Sequence, residues 1–427
     1  MKVNAVGILA FLIVLYLLTA IHAVESVSIA SALMRLFRLA NIPLFLLFIV
    51  VLLPRQAMTK MKAFAPLILP VVLILAVNVL QLAALPAHLA ATHLTISVRF
   101  SALFLLYICI LLAINRTSVD RLMRVLTVSL SAVFVVGVIQ YVFLIFQSGS
   151  SFVSVFANYG QPGARYQLEG LLGSANENAN GFMTILPLVL LQVERKEFQT
   201  RLLLRGAVFF LLVLALLFNG TRTALLISLP LITFLFYSDL SVKKAAFLAL
   251  PASVFGAYLL LFSQNIVGRA FGQESSQDGT LGWRVEHVWR PAIDYTAANS
   301  PLFGFGSRGW EFIGAQIGFT DHTGIDVAPA HSGYIWTFVS WGLFGLLAYV
   351  VLLVVLLVES FRLSQSRKKT VADAGKALFC SMVGYCIWAF ISNVMFTVGW
   401  VILMYLAAAI AAYKFLDVCV LARGSPA

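Results

Sequence analysis

Long uninterrupted apolar runs are the feature that most constrains this chain. Many of them reach the roughly 20 residues that an α-helix needs to cross the hydrocarbon core of a bilayer. Across the 427 residues, 61% are hydrophobic and 11% are charged, whereas a soluble globular domain carries about 25% charged residues. This composition excludes a water-soluble enzyme and indicates an all-α polytopic membrane protein.

Apolar runs bounded by charged or turn residues predict about 12 transmembrane helices, an even number that places both termini on one side. Twenty of the 29 basic residues lie at the termini or in every second gap between runs, which the positive-inside rule makes cytoplasmic. The first run is predicted to be a retained helix, not a cleaved signal peptide. The predicted spans are residues 4–24, 30–53, 63–85, 95–115, 122–146, 178–193, 202–219, 222–237, 244–262, 332–358, 375–393 and 398–416.

These spans divide the chain into three parts. Residues 1–262 contain helices 1–9 and an outer segment at 147–177, residues 263–331 form one large outer loop, and residues 332–427 contain helices 10–12 and a cytoplasmic tail. Within the large loop, apolar and charged residues alternate from Trp283 to Ile293, which predicts a short helix at the membrane surface. Pro291 is expected to interrupt or end that helix.

The basic residues outside the cytoplasmic gaps are all arginine. Arginine in place of lysine favours bidentate recognition of an oxyanion such as phosphate, although most of these side chains also fit the role of interface anchors. The net charge of +12 comes largely from topology signals, so we expect membrane lipids and no nucleic acid as partners. The arginines concerned are Arg35, Arg38, Arg99, Arg165, Arg222, Arg269, Arg284, Arg290 and Arg308.

Two of these arginines are the strongest candidates for phosphate binding. In the tight outer turn 219–223, Thr221 is placed to cap the next helix and Arg222 lies in its first turn. Free backbone N–H groups and a guanidinium together form a phosphate site, while an interface arginine is the alternative. Arg284, beside Trp283 on the predicted surface helix, could reach the same headgroup region. Weaker candidates for substrate contact are Arg290 and Arg165.

His331 and Ser332 lie where the large loop meets the tenth predicted span. A histidine titrates near pH 6.5, and neighbouring arginines favour its neutral form, which can accept a proton from a sugar hydroxyl. A capping or core histidine is the alternative, and Ser332 is a weaker candidate for substrate contact. The segment 321–326 contains two carboxylates and a histidine, but such clusters often arise by chance, so we expect no metal site and no cofactor.

The residues from His331 onward resemble a known family signature. They read HSGYIWTFVSWGLFG, with nine residues between Ser332 and Gly342 and two between Gly342 and Gly345. This is similar to the H-[NSQ]-x9-G-x-x-[GTY] signature of the bacterial O-antigen ligase and polymerase superfamily. The Gly-Thr-Arg-Thr turn at Arg222 resembles a second segment, and W-R-x4-W-R-P-A with P-L-F-G-F-G, at 283–306, resembles a third. The N-terminal half matches in topology alone.

The resemblance implies a membrane glycosyltransferase of the GT-C type in the bacterial inner membrane, with its active site and large loop on the periplasmic face. The donor in this superfamily is a glycan on undecaprenyl pyrophosphate, and the ligases use lipid A–core as acceptor in lipopolysaccharide synthesis. The family's essential arginines fall on Arg222 and Arg284 and its essential histidine on His331. His331 would act as general base, the arginines would hold the pyrophosphate without a metal, and the anomeric configuration would invert.

Two other functions fit parts of the pattern. An O-antigen polymerase shares the histidine signature, and the spacings from Arg165 to Gly181 and from Arg290 to Gly306 match an R-x15-G pattern of polymerases. A transporter or flippase for lipid-linked glycans, from a different class, would place charges within spans, as Arg99 is placed. The remaining candidates lie at outer helix ends, which favours the enzyme.

Overall fold

The structure is a computed structural model that describes residues 56–85, scattered helical positions between 93 and 128, and residues 175–194, 284–307, 309–317, 330–391 and 398–421. Within these residues the regular elements are all helices. They are α1 Gln56–Ala84, α2 Ala175–Glu194, a π-helix Arg284–Trp289, α3 Arg290–Asn299, α4 Gly309–Ile317, α5 Gly333–Ser364, α6 Lys369–Ile391 and α7 Val398–Leu421.

The described helices confirm a mostly helical membrane protein. Helices α1, α2, α5, α6 and α7 coincide with predicted spans, and three segments of the described chain are long and apolar enough to cross a bilayer: Phe64–Leu82, Gly333–Ser364 and Gly399–Asp417. The predicted spans 4–24, 30–53, 202–219, 222–237 and 244–262 lie outside the described residues. The twelve-helix count, the GT-C topology and the three-part division of the chain therefore stay predictions.

Helix α5 is the centre of the described bundle. It packs against α1, α6 and α7, while α2 packs against α6. One face of α5 is buried, and the opposite face exposes large apolar side chains three or four residues apart, which suits contact with lipid. The exposed residues are Leu343, Phe344, Leu347, Val350, Val351, Val354, Val358 and Phe361.

Helix α5 is broken at Gly342, whose φ of 64° and ψ of −163° are not helical. A continuous α-helix would bond the N–H groups of Leu343 and Phe344 to the carbonyls of Val339 and Ser340, four residues earlier. The break separates these partners and leaves two donors and two acceptors without their helical bonds. Unpaired backbone groups in an apolar environment cost several kcal/mol each, so other partners are required.

Residues 300–307, which we call the splice loop, supply those partners. Two carbonyls of the loop accept the free N–H groups of α5, and two N–H groups of the loop donate to its free carbonyls. The bonds run from Leu343 N to Pro301 O at 2.8 Å, from Phe344 N to Leu302 O at 3.2 Å, from Phe305 N to Val339 O at 2.9 Å and from Gly306 N to Ser340 O at 2.9 Å.

The break folds the start of α5 back onto the rest of the helix. The rings of Tyr334 and Tyr349 lie 5.7 Å apart, although fifteen residues of straight α-helix would separate them by about 22 Å. The predicted single span 332–358 is therefore corrected to a short helix, 333–341, followed by a long helix, 343–364. At 1.5 Å per residue the long helix measures about 33 Å, close to the thickness of a bilayer core of about 30 Å.

Helix α1 holds the splice loop from the N-terminal half of the chain. The side-chain amide of Gln81 donates to the carbonyl of Phe303 in the loop and to the carbonyl of Ser340 in α5, the latter at 2.6 Å. Gln81 is 1% exposed. One buried amide thus ties α1, the splice loop and the broken turn of α5 together.

His93 makes a second connection to the splice loop. Its Nδ1 accepts from the backbone N–H of Ser307 at 3.0 Å, so the ring proton lies on Nε2, which donates to the carbonyl of Asn78 at 2.8 Å. His93 and Ser307 are both buried. The neutral imidazole therefore links α1 to the end of the splice loop.

The far end of α5 carries an ion cluster. Glu359, which is 7% exposed, pairs with Lys414 at 2.9 Å and with Arg362 at 3.1 Å. Lys368 donates to the carbonyl of Leu416 at 2.6 Å, near the end of α7, where a cation is favoured by the helix dipole. These basic residues lie at the opposite end of the long helix from the splice loop, as the predicted topology requires.

We expect Gly342→Ala to destabilise the protein strongly. A Cβ at this position would lie 2.3 Å from the backbone of Leu302, in addition to a positive φ that alone costs about 1–3 kcal/mol. Thermal unfolding of the purified protein in lipid nanodiscs should show a large fall in midpoint. Leu347→Ala, on the exposed face of the same helix, is the control and should shift the midpoint little. Equal midpoints for both variants would contradict a close packing of the splice loop against Gly342.

Candidate functional site

The predicted surface helix exists, but it begins as a π-helix. The π-helix Arg284–Trp289 continues directly into α3, with Pro291 in the first turn of α3. Pro291 therefore does not end the helix, although the change from π-helix to α-helix falls directly before it. A first-turn position tolerates proline because its missing N–H would have no α-helical partner there.

Trp289 docks the π-helix onto the segment that precedes α5. Its indole N–H donates to the carbonyl of Ala330 at 2.6 Å, and its ring lies edge-on to Phe390 of α6 with centroids 6.1 Å apart. Trp289 is 8% exposed and Ala330 is fully buried. This contact joins two parts of the chain that are 41 residues apart, one carrying Arg284 and the other His331.

His331 occupies a sharp turn at the start of α5. Its φ is 49°, the left-handed region that residues other than glycine seldom adopt. Ser332 then returns to extended backbone and caps α5, its hydroxyl accepting from the N–H of Ile335 at 3.5 Å. The side chain of His331 is partly exposed, whereas Ser332 is buried. The structure gives Ser332 a capping role, and its contact with substrate stays a prediction.

Arg284 and His331 form the electrostatic centre of the described site. Burial lowers the pKa of Arg284, and burial together with the charge of Arg284 lowers the pKa of His331 to about 4. His331 is therefore neutral at physiological pH, with one ring nitrogen able to accept a proton within the electrostatic range of the Arg284 guanidinium. A neutral base next to a fixed cation suits removal of a proton close to a bound anion.

Arg290, the remaining predicted site residue that the structure describes, is not brought to this centre. Arg290 is exposed and pairs with Asp294 across one helical turn at 3.9 Å. Its role in substrate binding stays a prediction. The other predicted site residues lie outside the described residues; they are Arg222, Thr221, Trp283 and Arg165.

Three residues that support this arrangement were not predicted as such from the sequence. Trp289 belongs to the apolar positions of the predicted helix 283–293, a pattern that does not indicate its hydrogen bond to Ala330. Gln81 and His93 belong to apolar stretches of the N-terminal half, where a polar side chain is a signal of an internal partner. That signal identifies the residues, but it does not identify partners more than two hundred residues away.

Comparison with known families bears on this same region. The family model described as O-antigen ligase matches residues 207–350, which include Arg222, Arg284 and His331 as well as the splice loop and the break at Gly342. Over residues 207–350 the chain is therefore similar to the O-antigen ligase family. The resemblance seen in the histidine signature is confirmed for this stretch, about one third of the chain. A search of curated proteins found no match to the chain.

We expect Arg284→Gln to raise the pKa of His331 above about 4, because the variant removes the positive charge that helps to lower it. Diethyl pyrocarbonate modifies neutral histidine, so the pH dependence of labelling at His331, read by mass spectrometry, measures this pKa. Arg367→Gln, at an exposed position beyond α5, is the matched control and should leave the labelling midpoint unchanged. An unchanged midpoint in Arg284→Gln would contradict the electrostatic coupling.

Proposed function

We propose that the protein is an O-antigen ligase of the bacterial inner membrane. It transfers a glycan from undecaprenyl pyrophosphate to a sugar hydroxyl of lipid A–core on the periplasmic face, in lipopolysaccharide synthesis. The observation that carries this proposal is the pairing of Arg284 with a neutral His331 inside the family-matched segment. The pair combines a group that attracts phosphate with a group that accepts a proton.

In the proposed reaction, the acceptor hydroxyl oxygen forms a bond to the anomeric carbon of the donor sugar. His331 takes the hydroxyl proton, and the bond from the anomeric carbon to the phosphate oxygen breaks with its electron pair. The released undecaprenyl pyrophosphate carries the resulting charge, which Arg284 stabilises. Attack from the side opposite the leaving group inverts the anomeric configuration.

Arg222 is the proposed second ligand of the pyrophosphate. Its place in the first turn of a predicted helix, after Thr221, would add backbone N–H groups to the guanidinium. Two guanidiniums supply the positive charge that a divalent metal supplies in other transferases, so the proposed reaction needs no metal. Arg290, Trp283 and Arg165 are proposed to make further contacts with the donor or acceptor.

The low pKa of His331 in the free protein has a consequence for catalysis. A base with a pKa of about 4 is weak at neutral pH, because proton transfer is most efficient when the pKa is near the working pH. Binding of the anionic pyrophosphate beside Arg284 offsets the charge that lowers the pKa of His331. The donor would therefore offset the smaller of the two causes, so that the pKa of His331 rises and the base strengthens as the reactants assemble, while burial continues to lower the pKa.

We expect His331→Ala to lower the transfer rate by about 10²–10⁴-fold, the range for loss of a general base. Arg284→Ala should lower it by about 10²–10³-fold, as does the loss of a group that stabilises developing charge. The assay uses purified protein in nanodiscs, lipid-linked glycan and lipid A–core, with the product separated by gel electrophoresis. Near-normal rates in folded variants would refute the assigned roles.

The same assay separates ligase from polymerase and transporter. A ligase joins the glycan to lipid A–core, whereas a polymerase lengthens lipid-linked glycan when that is the sole acceptor. A transporter forms no covalent product when no ion gradient is present. A product with lipid-linked glycan alone would replace the ligase proposal by polymerase, and no product with either acceptor would leave transport.

We expect the two pH profiles of transfer to differ on their acid side. The profile of kcat/KM reports the free enzyme, so its activity should fall only as the pH drops towards about 4, where His331 gains a proton. The profile of kcat reports the enzyme with donor bound, in which the pKa of His331 is higher, so its acid limb should lie at higher pH. Coincident acid limbs would contradict the effect of the donor on His331.

A further inference from the structure

A hydrogen bond between Trp289 and Ala330 joins the segment that carries Arg284 to the segment that carries His331. Trp289 ends the π-helix that Arg284 begins, and its indole N–H donates to the carbonyl of Ala330, the residue just before His331. Two residues therefore connect the guanidinium to the imidazole: Trp289 on one side and Ala330 on the other.

The π-helical register makes this connection short. A π-helix forms bonds between residues five apart, so Arg284 and Trp289 lie on nearly the same side of the helix, one turn from each other. In an α-helix, with about 3.6 residues per turn, residues five apart point in different directions. The π-turn thus brings the bonded indole and the site guanidinium onto one face.

The segment that receives the bond is itself tightly fixed. Ala330 is fully buried, His331 is held at a φ of 49°, and Ser332 caps α5 in the next position. Phe390 of α6 contacts the ring of Trp289 and also that of Tyr334, one turn after His331, with centroids 6.1 Å and 6.4 Å apart. A bond at Ala330 therefore transmits the position of Trp289 directly to His331.

We propose that Trp289 is the positioning residue of the site, its indole N–H holding the π-helix on the carbonyl of Ala330 so that Arg284 stays beside His331. Trp289 does not contact substrate in this proposal and acts through Arg284. The inference rests on the proposed function for its catalytic meaning. Its structural content, the pairing of Arg284 with His331, can be measured without substrate.

The test replaces Trp289 by phenylalanine, which keeps an aromatic ring against Phe390 and removes the indole donor. Trp388→Phe is the matched control, because Trp388 is also buried in the described bundle and its indole N–H has no partner among the described residues. Benzothienylalanine at position 289, which keeps the two-ring shape and replaces the N–H by sulfur, serves as a second variant if Trp289→Phe does not fold.

The first measurement is the pH dependence of diethyl pyrocarbonate labelling at His331 in nanodiscs, without substrate. With a pKa of about 4, about nine tenths of His331 is neutral at pH 5. We expect the Trp289 variants to move the midpoint to about pH 5 or above, which lowers labelling at pH 5 to about half of its plateau or less. Trp388→Phe should keep the wild-type midpoint, and an unmoved midpoint in the Trp289 variants overturns the proposal.

A double variant shows whether Trp289 acts through Arg284. If it does, Trp289→Phe should move the midpoint no further once Arg284→Gln is present. An equal additional shift in that background would mean that Trp289 acts on His331 by another route, such as burial, and would also overturn the proposal.

The transfer assay then separates this inference from the proposed function. We expect Trp289→Phe to lower kcat/KM at pH 5 more than at pH 7, while Trp388→Phe keeps the wild-type ratio. A wild-type protein that transfers no glycan refutes the proposed function and leaves the labelling result to decide the positioning role. An active wild type with identical ratios in both variants refutes the positioning role alone.

Discussion

The hydrogen bonds between the splice loop and the broken turn of α5 are the constraint on which the rest of the described structure depends. A helix can break inside a membrane protein only where other groups satisfy its freed backbone. The loop can approach closely enough because glycines line the contact: a Cβ at Gly304 would lie 2.6 Å from the carbonyl of Val339, and one at Gly342 would meet Leu302. Gly342 of the histidine signature therefore permits the close approach of two backbone segments.

The break also determines where the site lies. Because the short helix 333–341 folds back on the long helix, its first turn lies beside Tyr349, about two helical turns along the long helix from the break at Gly342. His331 is then presented from a rigid turn and not from a free loop. Gln81 of α1 and His93, which bonds to α1, hold the splice loop, so the N-terminal half contributes to the geometry through two residues that carry no proposed chemistry.

The sequence predicted the parts of this arrangement that depend on local pattern. Apolar runs located α1, α2, α5, α6 and α7, and alternation of apolar and charged residues located the helix that carries Arg284, whereas α4 was not predicted. The break in α5 could not be predicted in this way, because the apolar run continues through Gly342 and membrane helices often contain glycine. The π-helical turn Arg284–Trp289 could not be predicted either, because a π-helical turn and an α-helical turn can have the same amino-acid composition. The partners of Gln81 and His93 depend on tertiary packing, which one sequence does not encode in any local spacing.

The charge balance of the described site is positive, which would favour a bound anion. Arg284 is partly buried, burial lowers its pKa, and none of the ion pairs among the described residues includes it. Its described neighbour His331 is neutral and cannot compensate the charge. A partly desolvated guanidinium without a counter-ion is costly, and a ligand that brings negative charge relieves that cost. A pyrophosphate donor would therefore both bind to Arg284 and restore the basicity that Arg284 removes from His331, which links recognition of the donor to activation of the acceptor.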